Sequence, residues 1–209
     1  KEKQVVLMEA VKAAYCPGFQ QLINIAKSGK IGDIIDVEVC FTRIADKNSR
    51  ERTDNIHGGA FLEFGPSTLL PVIKLLGKDY KSVNIDSIND ENGVDIYTKA
   101  NIRYENAMAT VKTGVAVKTE GQLVVSGTKG YIIAPSPWWL MKQFDVRYED
   151  ASLIEHYEPR FQGDGLRYEI GEFISKINGF GGKDYKLTSG ESITMAEFIE
   201  LFMKQRNYM

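Results

Sequence analysis

The chain has 209 residues, 43% of them apolar and 26% charged, with a formal net charge of −2, the profile of a soluble globular protein built as one large domain or two small ones. That balance, without a Lys/Arg cluster, argues against nucleic acid as a partner, and apolar runs far shorter than a bilayer argue against a membrane span. "KEKQVVLMEA" has too short an apolar core for a signal peptide, and Cys16 and Cys40 form neither a disulfide framework nor a metal-ligand spacing, so a cytoplasmic protein with reduced thiols is expected.

"VVLMEA" (5–10) reads as a short buried strand. "PGFQQLINIAKSGKIG" reads as a helix with Pro17 in its first turn, a stripe of Phe19, Leu22, Ile23 and Ala26, and Gly29 as its stop. "IIDVEVCFTRI" alternates, with Ile35, Val37, Val39 and Phe41 against Asp36, Glu38, Cys40 and Thr42, as a strand with two unlike faces does. A polar loop (45–57) leads to "GGAFLEFGPSTLLPVIKLLG", an apolar helix expected to kink at its prolines or to restart at Pro66.

Strands then follow one another. "YKSVNIDSI" precedes the turn "NDENG", and "VDIYTKANIRY" and "AMATVKTGV" form a hairpin around "EN". "GQLVVSG" and "YIIAP" form another around "TKG", and "MKQFDVRYED" and "SLIEHYE" supply further strand. Two helices close the chain. "GLRYEIGEFISKING" sets Leu166, Ile170, Phe173, Ile174 and Ile177 on one side, and "TSGESITMAEFIELFMKQ" opens with a capping box from Thr188 to Glu191. Segregated strands and helices predict an α+β fold, a large and mainly antiparallel β-sheet with helices packed on one face.

A dinucleotide-binding fingerprint is missing: "GDGLRY" (163–168) has Tyr168 where a small residue belongs, and "GFGG" (179–182) follows a helix and leads to none. His57 and His156 stand alone, which leaves metalloenzyme chemistry without an anchor. The opening stretch of the apolar helix is different. Glu63 and Ser67 are four residues apart and share a helix face, and Pro66 and Pro71 free the carbonyls of Leu62 and Ser67 nearby. A polar pocket and a plain capping or ion-pair role for Glu63 are both open on this pattern. Trp138 and Trp139, in "APSPWWLMKQF", are open to sugar stacking, subunit contact or core packing.

In the order of its motifs the chain resembles the C-terminal domain of the Gfo/Idh/MocA oxidoreductases. Gly58, Gly59 and Ala60 stand where the family has a glycine run, Glu63 at its Asp, Ser67 at its His, and the helix ends in "KLLG". "MEAVKAAYCP", "SGKIGDI", "GTKGYI" and "GLRYEIGEF" resemble further family segments over nearly the whole chain. The resemblance implies that residues 1–14 are the last strand and linker of a Rossmann domain that is otherwise missing, and 15–209 a substrate-binding and oligomer-forming domain. It implies a sugar, cyclitol or similar polyol as substrate, hydride transfer at a CH–OH group, and NAD or NADP held mainly by the missing domain. Glu63 and Ser67 are the expected catalytic residues, and Lys12, Trp138 and Tyr168 the expected substrate contacts, with no cofactor or metal ligand in this piece. Ser67 cannot take a proton near neutral pH as a histidine does, so it orients at most. A homodimer or tetramer is expected through the open sheet face. The alternative is a non-catalytic sugar-binding or dimerisation module.

Overall fold

The computed structural model of the protein describes residues 5–180 and 186–206. Elements follow in the order α1 (Pro17–Lys27), β1 (Ile34–Thr42), α2 (Arg50–Thr53), α3 (Ala60–Leu76), β2 (Ser82–Asn89), β3 (Asp95–Arg103), β4 (Met108–Gly114), β5 (Leu123–Gly127), β6 (Gly130–Ala134), β7 (Phe144–Tyr148), β8 (Ile154–Tyr157), α4 (Leu166–Ile177) and α5 (Ser189–Arg206). Short 3₁₀ turns occupy Lys12–Tyr15 and Trp138–Leu140. The strands form one eight-stranded sheet in the order β2-β3-β4-β1-β5-β6-β7-β8. Every neighbouring pair is antiparallel except β1 and β4, which run parallel because α3 and the β2–β3 hairpin intervene. The expected hairpins form, with Lys99 opposite Lys112 and Val125 opposite Ile132.

Period-2 alternation divides the sheet into two faces. Val37, Val39, Ala100, Ile102, Ala109, Val111, Leu123, Val125 and Ile132 point inward, where α1, α3 and α5 complete the core with Phe19, Leu22, Phe61, Leu69 and Phe198. The other face carries Asp86, Lys99, Asn101, Thr110 and Glu38 across β2, β3, β4 and β1. Strict alternation fails at both ends of β1. A register shift between Ile34 and Asp36 leaves Ile35 exposed, while the 115–121 loop covers Cys40 and Thr42 by bringing Thr119 onto both.

Other expectations are corrected. Residues 5–10 form no strand: no described strand pairs with them, and Leu7 is 92% exposed. α3 neither stops nor restarts at its prolines but runs as one helix through Pro66 and Pro71. Its C-terminal half is buried, so tertiary packing outweighs the two missing backbone bonds. The apolar stripe of α4 is exposed, and none of its residues is buried. The "GFGG" stretch falls partly outside the described residues.

α5 begins with the expected capping box. Thr188 N–H donates to Glu191 Oε2 at 2.7 Å, and Glu191 N–H to Thr188 Oγ1 at 3.2 Å. The buried Lys74 of α3 donates to the same carboxylate at 2.7 Å, which ties the two helices together.

Candidate functional site

Strand direction gathers the relevant segments at one end of the sheet. β1, β4 and β6 finish there at Thr42, Gly114 and Ala134, while β3, β5 and β7 start there at Asp95, Leu123 and Phe144. α3 also starts at this end, because Phe61 N–H donates to Asp95 Oδ2 at 2.8 Å. Asp95 thus does from β3 what an N-cap side chain normally does from within the helix, since the residue at the cap is Gly59. Gly59 has φ +106, and a Cβ there would lie 1.9 Å from Asp95 Oδ1, so only glycine fits. Thr98 Oγ1 also donates to Oδ2, at 2.8 Å. Burial pushes the Asp95 carboxyl above the usual carboxylate range, and the bonds from Phe61 and Thr98 hold it down in part. Arg206, in the last turn of α5, donates to the carbonyls of Asn55, Gly58 and Gly93 and so clamps the loop that precedes α3.

Glu63 projects from the first turn of α3 and is half-buried. Arg50 Nη2 lies 3.3 Å from its Oε2 and donates through Nη1 to the carbonyl of His57 at 3.1 Å. Ser67, one turn on, is also half-buried, so the two residues share a partly accessible helix face. Next to Glu63 in sequence, Phe64 joins a continuous ring stack. Phe41 lies 4.3 Å from Phe64 at 14° and 3.8 Å from Trp139 at 4°, and the Arg43 guanidinium sits 5.8 Å from the Phe64 centroid. Arg43 also pairs with Glu51 at 2.9 Å.

The remaining candidates lie elsewhere. Trp138 is 1% exposed and donates its indole N–H to Cys40 O at 2.9 Å, so it packs in the core and has no free ring face for a sugar. Its neighbour Trp139 is the partly exposed ring. Lys12 lies on the first 3₁₀ turn, where its charge acts on Cys16 and on Glu169 of α4. Burial nonetheless pushes the Cys16 thiol up to about 11. Tyr168, on α4, accepts from Gln162 N–H at 3.0 Å and lines an open groove of about 1020 Å³ between α1 and α4. The five candidates therefore fall into a pair on α3, a pair beside α4 and one core residue. The sequence reading missed Arg50, Asp95 and the Phe41–Phe64–Trp139 stack. Asp95 carried no visible signal: alternation puts it in phase with Lys99 and Asn101 of the outer face, and only the register shift opposite Ile88 and Asn89 brings it into the interior.

A dinucleotide needs helix N–H groups free to meet its phosphates. The glycine-led starts of α3 and α4 do not fit that use: Asp95 accepts from Phe61 N–H, and Asp164 from Leu166 N–H at 3.1 Å. A carboxylate thus stands at each helix start, where it would repel a phosphate. Among the described residues no group of three or more His, Cys, Asp or Glu side chains could hold a metal ion, and no helix is long and apolar enough to cross a membrane.

A one-sided α+β sheet with a half-buried carboxylate, two arginines and an aromatic stack at one end defines the class of domain. The chain belongs to the GFO/IDH/MocA family, whose C-terminal domain model matches residues 19–133. It is similar to a trans-1,2-dihydrobenzene-1,2-diol dehydrogenase of Xenopus tropicalis, 27% identical over 171 residues that make up 79% of this chain and 52% of the relative. It is also similar to the scyllo-inositol 2-dehydrogenase (NADP(+)) IolU of Bacillus subtilis, at 24% identity with 98% of this chain and 63% of the relative covered. Among solved structures, KijD10, a 3-ketoreductase from Actinomadura kijaniata in complex with NADP and TDP-benzene, superposes with a TM-score of 0.81 at 16% identity, covering 95% of this chain and 62% of that one. The UDP-N-acetylglucosamine 3-dehydrogenase GnnA of Acidithiobacillus ferrooxidans gives 0.74 at 13%, with 95% and 61% covered. The chain thus spans between half and two thirds of the curated relatives' length.

Proposed function

We propose that residues 15–209 form the substrate-binding domain of an NAD(P)-dependent oxidoreductase acting on a CH–OH group of a sugar, cyclitol or similar polyol, with residues 1–14 as the lead-in from a dinucleotide-binding domain. The observation that carries this reading is the Glu63 carboxylate, held half-buried on the first turn of α3 and paired with Arg50, in a chain of this family. The nicotinamide takes or gives the hydride and is held outside this domain, whose glycine-led helix starts are filled by carboxylates. Glu63 accepts the hydroxyl proton, Ser67 orients the substrate oxygen, and Trp139 offers a ring face to the sugar. Lys12 and Tyr168 contact substrate only where it reaches the α4 side. Two free, buried cysteines accord with a reducing compartment, the cytoplasm.

Glu63→Gln keeps the side chain's shape and removes its basicity. In the full-length enzyme it is expected to lower kcat by roughly 10²-fold or more with little change in melting temperature, whereas Ser67→Ala costs about 1 kcal/mol, the value of one hydrogen bond. Intact turnover with a lowered melting temperature would make Glu63 structural and overturn the assignment. The Arg50–Glu63 pair favours a second reading, a non-catalytic sugar-binding module in which the carboxylate is only a hydrogen-bond acceptor. Sugar binding by a full-length protein that gives no turnover with either nicotinamide would select it.

A further inference from the structure

An arginine in the last turn of a helix is ordinarily placed there by the helix dipole. Lys204 fits that account, since it pairs within α5 with the exposed Glu200 at 2.6 Å. Arg206 does more. It is half-buried, and its guanidinium leaves its own helix for carbonyls far back in the chain, Gly58 at 3.5 Å, Gly93 at 3.3 Å and Asn55. The loop before α3 satisfies its N–H groups locally. Asp54 Oδ1 accepts from Ile56 and His57, both at 2.9 Å, and the carbonyls of Asp54 and Glu51 accept from Gly58 and Gly59. Its own carbonyls are held by arginines. Arg206 takes Asn55 and Gly58, while Arg50, which also meets Glu63, takes His57.

Resting on the reading of Glu63 as proton acceptor, we propose that Arg206 is a positioning residue for that site: by spanning from the 55–58 loop to the turn between β2 and β3, it fixes the first turn of α3 and Glu63 with it. The bond from Phe61 N–H to Asp95 crosses the same gap, because Gly58 shortly precedes Phe61 and Gly93 shortly precedes Asp95. Arg206 thus sets the separation that this cap needs. Burial pushes the Asp95 carboxyl up, and the Arg206 charge pulls it back in part, which favours the ionised cap. A guanidinium suits the task, since its donors form a rigid planar fork that serves several carbonyls at once, whereas an ammonium is a point charge on a flexible stem. α5 does not depend on this residue to stay docked. Met195, Phe198 and Phe202 are buried, Gln205 Nε2 donates to Ile85 O at 2.7 Å, and Lys74 ties the other end of the helix through Glu191. Loss of Arg206 therefore frees the loop and leaves the helix in place.

The test uses Arg206→Met and Arg206→Lys, with Lys204→Met as the control. In this chain, hydrogen exchange at the Phe61 amide is expected to quicken by roughly 10-fold or more in both Arg206 variants, with the amides of the β5–β6 hairpin unchanged. In the full-length enzyme kcat is expected to fall by roughly 10- to 100-fold with KM within about 3-fold, because a displaced group lowers turnover while the substrate contacts remain. Lys204→Met is expected to change neither. Arg206→Ala with millimolar guanidinium, far below denaturing concentrations, is expected to regain part of the lost rate and part of the Phe61 protection. Phe61 exchange as slow as in the parent overturns the proposal, and so does normal turnover in a variant whose Phe61 exchanges fast. Faster exchange throughout the chain, without recovery in guanidinium, would make Arg206 a general stabiliser and also overturns it. Failure of the catalytic reading shows separately, as Glu63→Gln without effect on turnover, and leaves these exchange rates as they are.

Discussion

Gly59 and Asp95 illustrate how much of this site rests on pairs of residues far apart in sequence. Glycine alone supplies the backbone at φ +106, and its missing Cβ makes room for the Asp95 carboxylate that holds the first turn of α3. Glu63 sits in that turn, so its position depends on a residue 32 places downstream. Gly59→Ala sets a methyl into the carboxylate and strains the backbone. It is expected to destabilise the fold by about 1–3 kcal/mol, read from the shift of the urea midpoint at unchanged m-value. A midpoint within error of the parent would mean that the carboxylate moves aside freely and that the cap is dispensable. No local sequence pattern announces such a pair, because the capping group is not within four residues of the helix.

At the level of elements, what alternation and helical spacing can encode was legible, and what needs a partner was not. The hairpins of β3 with β4 and β5 with β6 follow from alternating residues around short turns, and the register confirms the faces. The exposed stripe of α4 was visible as a stripe, but periodicity says only that a face is to be covered, not by which body. Trp138 and Trp139 looked alike in sequence. The 3₁₀ turn sends one into the core and the other into the ring stack. The candidate site was legible only at Glu63 and Ser67, where an i, i+4 spacing and two prolines marked an odd helix, while Arg50 and the stack depend on loop and strand placement. The capping box of α5 was legible in full, but its tie to Lys74 was not. That tie makes Glu191 worth more than a cap. Thr188→Ala is expected to cost about 1 kcal/mol, whereas Glu191→Ala, which also removes an acceptor from a buried ammonium, is expected to cost about 2–4 kcal/mol. Equal losses in chemical denaturation would show that the ion pair adds nothing to the cap.

For the molecule as a whole, the outer face of the sheet is the surface left without helices. It is charged in a self-complementary way. Asp36 and Glu38 on β1 stand in register with Met108 and Thr110 of β4, while Lys99 and Arg103 project from β3 on the same face. Burial and the neighbouring Glu38 carboxylate raise the Asp36 carboxyl above its ordinary range, so a cation placed there would relieve it. A two-fold axis brings residue i of one copy to residue j of the other and j to i, which can set the acids of β1 against the bases of β3 twice over. Mixed composition is usual for such an interface. We therefore expect a homodimer through this face, or a tetramer containing it, independent of the α4 stripe. Light scattering should give twice the chain mass at low salt. Association should weaken as salt screens the pairs and disappear in Lys99→Glu with Arg103→Glu, at an unchanged far-ultraviolet spectrum. A monomeric mass at high protein concentration, or a dimer that survives the charge reversal, rules this face out as the interface.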